Sequence, residues 1–412
     1  VKLLLLSLNH APELTGIGKY NGELVDALSA REVTSYVVTA PPYYPDWQRH
    51  KGYKNWWSSE QDGEFVEVYR CPLYVPSKPS TLKRLLHLAS FALSSACRLL
   101  TLLSKKPDVV FVVQPSLFCA PVALLYSKLT GAKSVLHIQD FEVDAMFGLG
   151  MSKSSVLKRW AQAFETFLMK RFDIVSSISF SMLERAKSKG AKDNQLHYFP
   201  NWADLAFVTP SISGESLRAR WQLETDDYVV LYSGNVGEKQ GLEIILDAAQ
   251  AMRDQTTANK PKVKFIIIGN GANRLRLEEQ ASVRGLTNIQ FKPLQPWELM
   301  PQILAMADLH LVVQKRGAAD AVLPSKLTNI LSAGGHALVT AEADTELGKI
   351  AEKFPGIYDC IEPENPALFV DALNKLAANG RQKANIIARQ YAEQNMDINS
   401  ILDSFTDRLA KS

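Results

Sequence analysis

The stretch from Tyr228 to Gly241, YVVLYSGNVGEKQG, constrains the fold more than any other. Tyr228-Val229-Val230-Leu231-Tyr232 is an apolar run of strand length. Ser233-Gly234-Asn235-Val236-Gly237 is a glycine turn, and a helical pattern follows from Leu242. A buried strand feeding a helix through glycines is the repeating unit of a parallel α/β sheet, and it is also how such sheets hold phosphate. The glycines let the backbone approach oxyanions, and the helix start supplies N–H groups and positive potential. Lys239 stands in the same turn and can add a full charge. The segment does not fit G-x-x-x-x-G-K-[ST], so a P-loop ATPase is not indicated. An ordinary βα turn with a solvated lysine has the same pattern.

Short apolar strands alternate with helical patterns along the whole chain. The first half predicts strands at Lys2–Leu8, Thr34–Thr39, Val66–Arg70, Val109–Val113, Lys133–His137, Ile174–Ser179 and Leu196–Phe199, with helices such as Tyr20–Ala30, Pro121–Leu129 and Ser155–Arg171. Pro200-Asn201-Trp202 ends this half, and a polar, loop-rich stretch follows, with a short helical piece at Leu217–Trp221. The pattern then restarts. Strands are expected at Tyr228–Ser233, Lys264–Gly269, Ile289–Lys292, Leu309–Val313, Ala337–Thr340 and Ile357–Ile361. Helices are expected at Leu242–Arg253, Ala272–Arg284, Trp297–Met306, Lys326–Ser332 and Ala367–Ala378. The fold class is therefore α/β, with two Rossmann-like domains in tandem, 1–205 and 206–385. The last segment, Arg381 to Leu409, reads as helix, and residues 386–412 are expected to cross back onto the first domain. Two such domains facing across a cleft bring together the turns at the carboxyl ends of their strands.

Composition narrows the function classes. With 412 residues there is ample core for two domains, and 46% hydrophobic with 22% charged residues is ordinary for a soluble protein. A net charge of +3 is too small to argue for nucleic acid. Cys71, Cys97, Cys119 and Cys360 are scattered, so neither a zinc site nor a disulfide framework is expected, and reduced thiols fit a cytoplasmic setting. The apolar run Leu3–Leu6 is too short for a secretory signal, and no uncharged run is long enough to span a bilayer.

Several further segments can carry chemistry. Asn9–Tyr20 follows the first strand and opens a helix. Its Gly16-Ile17-Gly18 lacks the third glycine of a dinucleotide fingerprint, so a loop over a phosphate or sugar fits better, beside a plain structural turn. Gly269-Asn270-Gly271 can bring backbone amides near a base or ribose, or simply turn the chain. In Val313–Ile330 an apolar strand leads through Lys315 and Arg316 to Pro324-Ser325-Lys326 and a helix. Ser325 can cap that helix, and Lys315, Arg316 and Lys326 can neutralise a diphosphate. His137 and Asp140 run off a strand end toward a substrate, although a lone histidine is more often a satisfied core group. Between Ser80 and Lys106, Leu82, Leu85, Leu86, Ala89, Leu93, Ala96, Leu100 and Leu103 form a wide apolar face beside a polar stripe with Arg84 and Arg98. That pattern fits an interfacial helix on anionic headgroups and equally a packed Rossmann helix.

The stretches PELTGIGKYNGELV, TAPPYYPDW, CPLYVPSKPSTLKRLLHLASFA, VLHIQDFEVDAMFGLG, FPNW, LYSGNVGEKQGLE and VVQKRGAADAVLPSKLTNIL, taken together, resemble the retaining glycosyltransferases of the GT-B fold. They are most similar to a subgroup that assembles exopolysaccharide (colanic acid), and the likeness spans nearly the whole chain. The resemblance implies transfer of a sugar, fucose from GDP-fucose, onto a polyprenyl-diphosphate-linked sugar at the cytoplasmic face of the membrane. It makes residues 1–205 the acceptor domain and 206–385 the sugar-nucleotide domain. It implies donor contacts at Gly16, Gly234, Asn235, Lys239, Gly269, Gly271, Arg316, Pro324, Ser325, Lys326 and Asn329. It implies catalytic roles for Asp140, His137 and Lys239, and membrane contacts at Arg84 and Arg98. No D-x-D stands on a suitable turn, so no metal and no cofactor beyond the donor is expected. Retention in this fold implies front-face attack with no protein nucleophile.

The chain departs from the family in three places. Ala321 and Asn329 stand where many relatives carry two glutamates, with Asp320 one residue off. Asn235 stands where many carry an arginine, which leaves Arg316 or Lys326 to replace it. His137, Gln139 and Asp140 compete for the place of the family's histidine. An epimerase acting on a UDP-sugar and a non-catalytic sugar-nucleotide-binding subunit remain as alternatives.

Overall fold

The structure is a computed structural model that describes all residues except 14–15, 45–46, 77–80, 116, 142, 144–154, 255–261, 272, 317–323 and 412, and the side chains of the rest apart from residues 81, 82, 155–157 and 239. The chain divides into two compact units, Val1–Asn201 with Ile401–Ser412, and Trp202–Ser400.

The first unit is built on an eight-stranded sheet: β1 Lys2–Leu6, β2 Thr34–Thr39, β3 Ser58–Gln61, β4 Val66–Arg70, β5 Val109–Gln114, β6 Lys133–Ile138, β7 Ile174–Ser177 and β8 Leu196–Tyr198. Their order is β3-β4-β2-β1-β5-β6-β7-β8. All pairs are parallel except β3 with β4. β1 and β5 consist of Leu and Val runs buried on both faces, as parallel strands under two helix layers must be. The sheet's direction of growth reverses between β1 and β5, so a crevice opens where their carboxyl ends part. β3 was not expected from the sequence. Ser-Ser-Glu-Gln has no apolar residue and forms an exposed antiparallel edge.

The second unit has six parallel strands: β9 Asp227–Ser233, β10 Lys262–Ile268, β11 Ile289–Lys292, β12 Leu309–Val312, β13 Ala337–Thr340 and β14 Asp359–Ile361. The order is β11-β10-β9-β12-β13-β14, so the reversal here lies between β9 and β12. One core layer packs Tyr228, Val230 and Tyr232 with Ile245, Ala248 and Phe369. On the other face Val229, Leu231 and Ile266 pack with Leu217 and Met306.

The expected C-terminal helix is two helices, Ile386–Asn395 and Ile398–Lys411. The break falls at Asp397, whose carboxylate accepts the Ser400 amide at 2.8 Å and starts the second helix. Residues up to Ser400 belong to the second unit and those from Ile401 to the first. In the first unit Phe405 meets Phe111 edge-on at 5.6 Å, and Arg31 pairs with Asp403 at 2.7 Å. Among the described residues no helix is long and apolar enough to cross a membrane.

Candidate functional site

In the second unit the glycine turn after β9 and the Gly269-Asn270-Gly271 turn after β10 interlock through backbone alone. Gly234 N–H donates to Ile268 O and Val236 N–H to Asn270 O, both at 2.9 Å, and Asn273 N–H donates back to Val236 O at 3.0 Å. A Cβ on Gly269 would stand 1.8 Å from Gly234 O, and one on Gly271 would stand 2.2 Å from Val236 O. These glycines therefore let one turn brace the other, a steric role the sequence did not distinguish from contact with a base or ribose. Arg274 donates to Gly269 O and, at 2.7 Å, to Lys292 O, fixing the second turn to the end of β11. Asn235 is exposed at the tip, and its carbonyl accepts from the Tyr232 hydroxyl at 2.7 Å. Lys239 lies in the short 3-10 turn Glu238–Gln240; its side chain is outside the described residues.

Beneath this turn lies Lys326. Its Nζ donates to the Tyr232 hydroxyl at 3.2 Å, sits 4.5 Å from the centre of that ring, and is 3.4 Å from where a Gly234 Cβ would be. Burial pulls its pKa from the ordinary lysine value to about 8, and among the described residues no carboxylate contributes. A half-buried ammonium aimed at the underside of a glycine turn is poised for an anion.

The other members of the cation group are placed differently. Arg316 pairs with Glu342 at 3.3 Å and Glu362 at 3.5 Å, and its amide donates to Glu364 at 3.2 Å, so its charge is already met. Arg316, expected to neutralise a diphosphate, is thus paired with carboxylates of its own unit. Lys315, by contrast, lays its stem over the turn, its Cγ 2.9 Å from a Cβ built on Gly241. The expected serine cap is also corrected. The N-cap of helix Ser325–Ser332 is Pro324, whose carbonyl accepts from Leu327 at 2.8 Å, and Ser325 is an exposed first residue that makes no cap hydrogen bond. Asn329 is half-buried one turn further on. Asp320 and Ala321 lie outside the described residues.

In the first unit the turn after β1 is organised around Glu13, which is 2% exposed. Its carboxylate accepts from the amides of Tyr43 and Tyr44 at 2.9 and 3.0 Å and from the Asn9 side chain at 2.8 Å. A Cβ on Gly18 would strike Glu13 at 2.6 Å, and Gly16 opens the helix Gly16–Ser29 with φ +60. Arg70 ties the loop down by donating to Ala11 O at 3.0 Å and Ala40 O at 3.2 Å. At the end of β6, His137 is 2% exposed among Phe111 and Phe199, and burial holds its pKa down at about 3. Its Nδ1 faces Ser176 at 3.0 Å and its Nε2 faces Gln139 at 3.0 Å. His137 is thus a neutral buried ring with both nitrogens occupied, and Gln139 in turn exchanges hydrogen bonds with Asn201 at 2.9 and 3.1 Å. Asp140, next along, is exposed.

The segment Ser80–Lys106 forms the helix Thr81–Thr101. Arg84 stacks over Trp47 at 5.7 Å and Arg98 over Tyr69 at 5.4 Å, with Arg98 Nε buried. Both arginines, expected as headgroup cations, are thus half-buried and lie over rings. Its exposed large apolar side chains are Leu86, Leu93 and Leu100, and Lys83 is an exposed cation on the same helix.

Glu13, Tyr232 and Asn9 were not singled out in the sequence. Their signal is present, since Glu13 stands inside the quoted PELTGIGKY stretch and Tyr232 ends the strand before the glycines. A buried carboxylate satisfied by amides thirty residues away leaves no local trace.

The sequence matches the Glycosyl transferase 4-like domain over residues 15–202 and the Glycosyl transferases group 1 family over residues 213–393. It is 48% identical over 410 residues, 98% of each chain, to WcaI of Escherichia coli (strain K12), a protein provisionally described as a colanic acid biosynthesis glycosyl transferase. Similar solved structures include sucrose-phosphate synthase from Thermosynechococcus elongatus (14% identity, TM-score 0.68) and Anabaena HepE in complex with UDP (16% identity, TM-score 0.67), each matched over 100% of both chains. At those identities the likeness speaks for the fold.

Proposed function

The chain belongs to the glycosyltransferases of the GT-B fold, and from that premise we propose that it moves fucose from GDP-fucose onto a polyprenyl-diphosphate-linked sugar in exopolysaccharide assembly of the colanic acid type. The observation that carries the donor reading is Lys326, an ammonium half-buried under a glycine turn with burial, not a carboxylate, setting its pKa. Such a charge is costly until an anion meets it, and a diphosphate fits the donor groups around it. The kinship with WcaI supports the exopolysaccharide context.

In this reading the diphosphate lies against the turn Ser233–Gly237, with Lys326 beneath and Lys239 as a second cation from the turn itself. Asn235 stands at the tip, and Pro324, Ser325 and Asn329 border the same loop. The cations stabilise charge as the sugar–phosphate bond breaks, which is where electrostatic preorganisation contributes most. The acceptor hydroxyl attacks the same face of the sugar, its oxygen forms the new glycosidic bond, and its proton passes to the departing diphosphate. Neither a metal nor a protein nucleophile is assigned. Asp140 is the polar contact to the acceptor, and His137 positions Gln139 beside it. The lipid-linked acceptor makes the protein a peripheral one on the cytoplasmic membrane face.

A thermal-shift panel of GDP, UDP and their sugars tests the proposal, because stabilisation follows affinity. GDP and GDP-fucose should raise the melting temperature more than UDP and its sugars. Stabilisation by UDP compounds alone overturns the fucose donor, and stabilisation by none overturns the donor turn.

A further inference from the structure

A second helix of the first unit, Ser155–Met169, leaves a face uncovered. Trp160, Phe164 and Phe167 are 73%, 46% and 50% exposed. Their i, i+4, i+7 spacing puts the three rings on one side of the helix. Beside them Lys158, Arg159, Lys170 and Arg171 are also exposed. The helix has one carboxylate, Glu165, which is 1% exposed and paired inward with Lys189. Arg171 lies over the Phe167 ring at 3.3 Å, so charge and ring are held together at the end of the face. Solvent therefore meets aromatic surface and positive charge, with no exposed acid on the helix.

The helix Thr81–Thr101 exposes Leu86, Leu93 and Leu100 with Lys83 as its exposed cation, while Arg84 lies over Trp47 and Arg98 over Tyr69. Of the two faces Ser155–Met169 is the more complementary to an anionic surface, with Lys158, Arg159, Lys170 and Arg171 exposed against Lys83 alone on the other helix. Rings that sit at the headgroup level flanked by lysine and arginine are the pattern of a helix lying in a bilayer interface.

We infer that the Trp160–Phe164–Phe167 face, with its flanking cations, docks on an anionic lipid bilayer and is the membrane-facing surface of the first unit. The inference deepens the lipid-linked acceptor reading and rests on it for its biological role, while its geometry stands on this helix alone. Docking through rings and cations makes binding reversible and salt-sensitive, because the surface potential is screened over about 8–10 Å at ordinary ionic strength.

Flotation on vesicles of phosphatidylcholine with phosphatidylglycerol, and on phosphatidylcholine alone, tests it. The wild type should float with the anionic vesicles at low salt and not with the neutral ones. W160S/F164S/F167S should lose about tenfold or more in vesicle affinity. K158E/R159E/K170E should lose about a hundredfold, at roughly fivefold for each cation. L86S/L93S/L100S should float like the wild type. The face is overturned if the wild type does not float, if both Ser155–Met169 variants float unchanged, or if only the leucine variant is released. It is overturned equally if light scattering shows a dimer that W160S/F164S/F167S dissociates, since the rings then serve a second copy of the chain. Circular dichroism establishes that each variant is folded. GDP stabilisation measured on the same samples separates this inference from the donor reading. Normal GDP stabilisation without flotation defeats the docking face alone, and flotation without GDP stabilisation defeats the donor turn alone.

Discussion

At the end of β9 the group packed beneath the glycine turn is the ammonium of Lys326, with no carboxylate among the described residues setting its pKa. At the end of β1 it is the carboxylate of Glu13, which accepts from the amides of Tyr43 and Tyr44. Both turns follow a strand at a reversal of sheet order, the position where open α/β sheets take ligands. Yet among the described residues the ammonium of the second unit meets no carboxylate, while the first has filled its amide nest with its own anion. Glycine turns alone therefore do not say what a site binds; the charge beneath them does. In the proposed function this comparison assigns the diphosphate to the second unit and the acceptor hydroxyl to the first.

The largest effect should come from the interlock. Gly269→Ala forces a Cβ to within 1.8 Å of Gly234 O, a backbone atom that cannot step aside. A loss of about 3 kcal/mol of stability is expected, together with GDP binding. Thermal unfolding near the wild-type midpoint would break the account of the two turns. Next, Asp140→Asn should reduce transfer by an amount corresponding to about 1.5–3 kcal/mol while GDP affinity stays constant. Steady-state kinetics set against nucleotide titration reads this split, and equal losses would merge the roles of the two units. Gly16→Ala is the counterpart of Gly269→Ala in the first unit. Among the described residues its Cβ meets only Tyr44 Cε1 at 3.7 Å, so the expected cost is that of φ +60, about 1–2 kcal/mol. A loss as large as that of Gly269→Ala would show that the first turn is braced as tightly as the second. The smallest effect belongs to Arg316→Ala. Its exposed pairing with Glu342 and Glu362 is worth about 0–1 kcal/mol, and GDP affinity should not change. A clear loss of GDP affinity would return Arg316 to the diphosphate site.

Most of the fold could be read from periodicity, because buried parallel strands are continuous apolar runs. β2, β4, β11 and β13 fall at their expected limits, and most other strands differ by one or two residues. What escaped reading was set by tertiary context. β3 has no apolar side chain and exists only through pairing with β4. The C-terminal break at Asp397 depends on one side-chain cap inside a helical pattern. Site residues followed the same rule. Glycine turns and cations were visible as local strings. Which cation meets carboxylates was not, because Arg316 finds Glu342 and Glu362 twenty-six and forty-six residues away, and Lys326 finds Tyr232 across ninety-four. His137 likewise reads as placed to meet a substrate, until Phe111, Phe199 and Ser176 close around it.

Calorimetric titration of GDP into wild type and Lys326→Ala, across pH, tests the central claim most directly. The ammonium is protonated below its pKa of about 8 and loses its proton as pH rises through that value, so wild-type affinity should be highest on the acid side and fall above it. The bound diphosphate favours the charged form, so GDP binding near pH 8 should take up protons. Lys326→Ala should lose about 1.5–3 kcal/mol of GDP binding and with it the pH dependence near that value. A variant that binds GDP with wild-type affinity and the same pH profile would contradict the account, and would put the diphosphate somewhere other than the turn after β9.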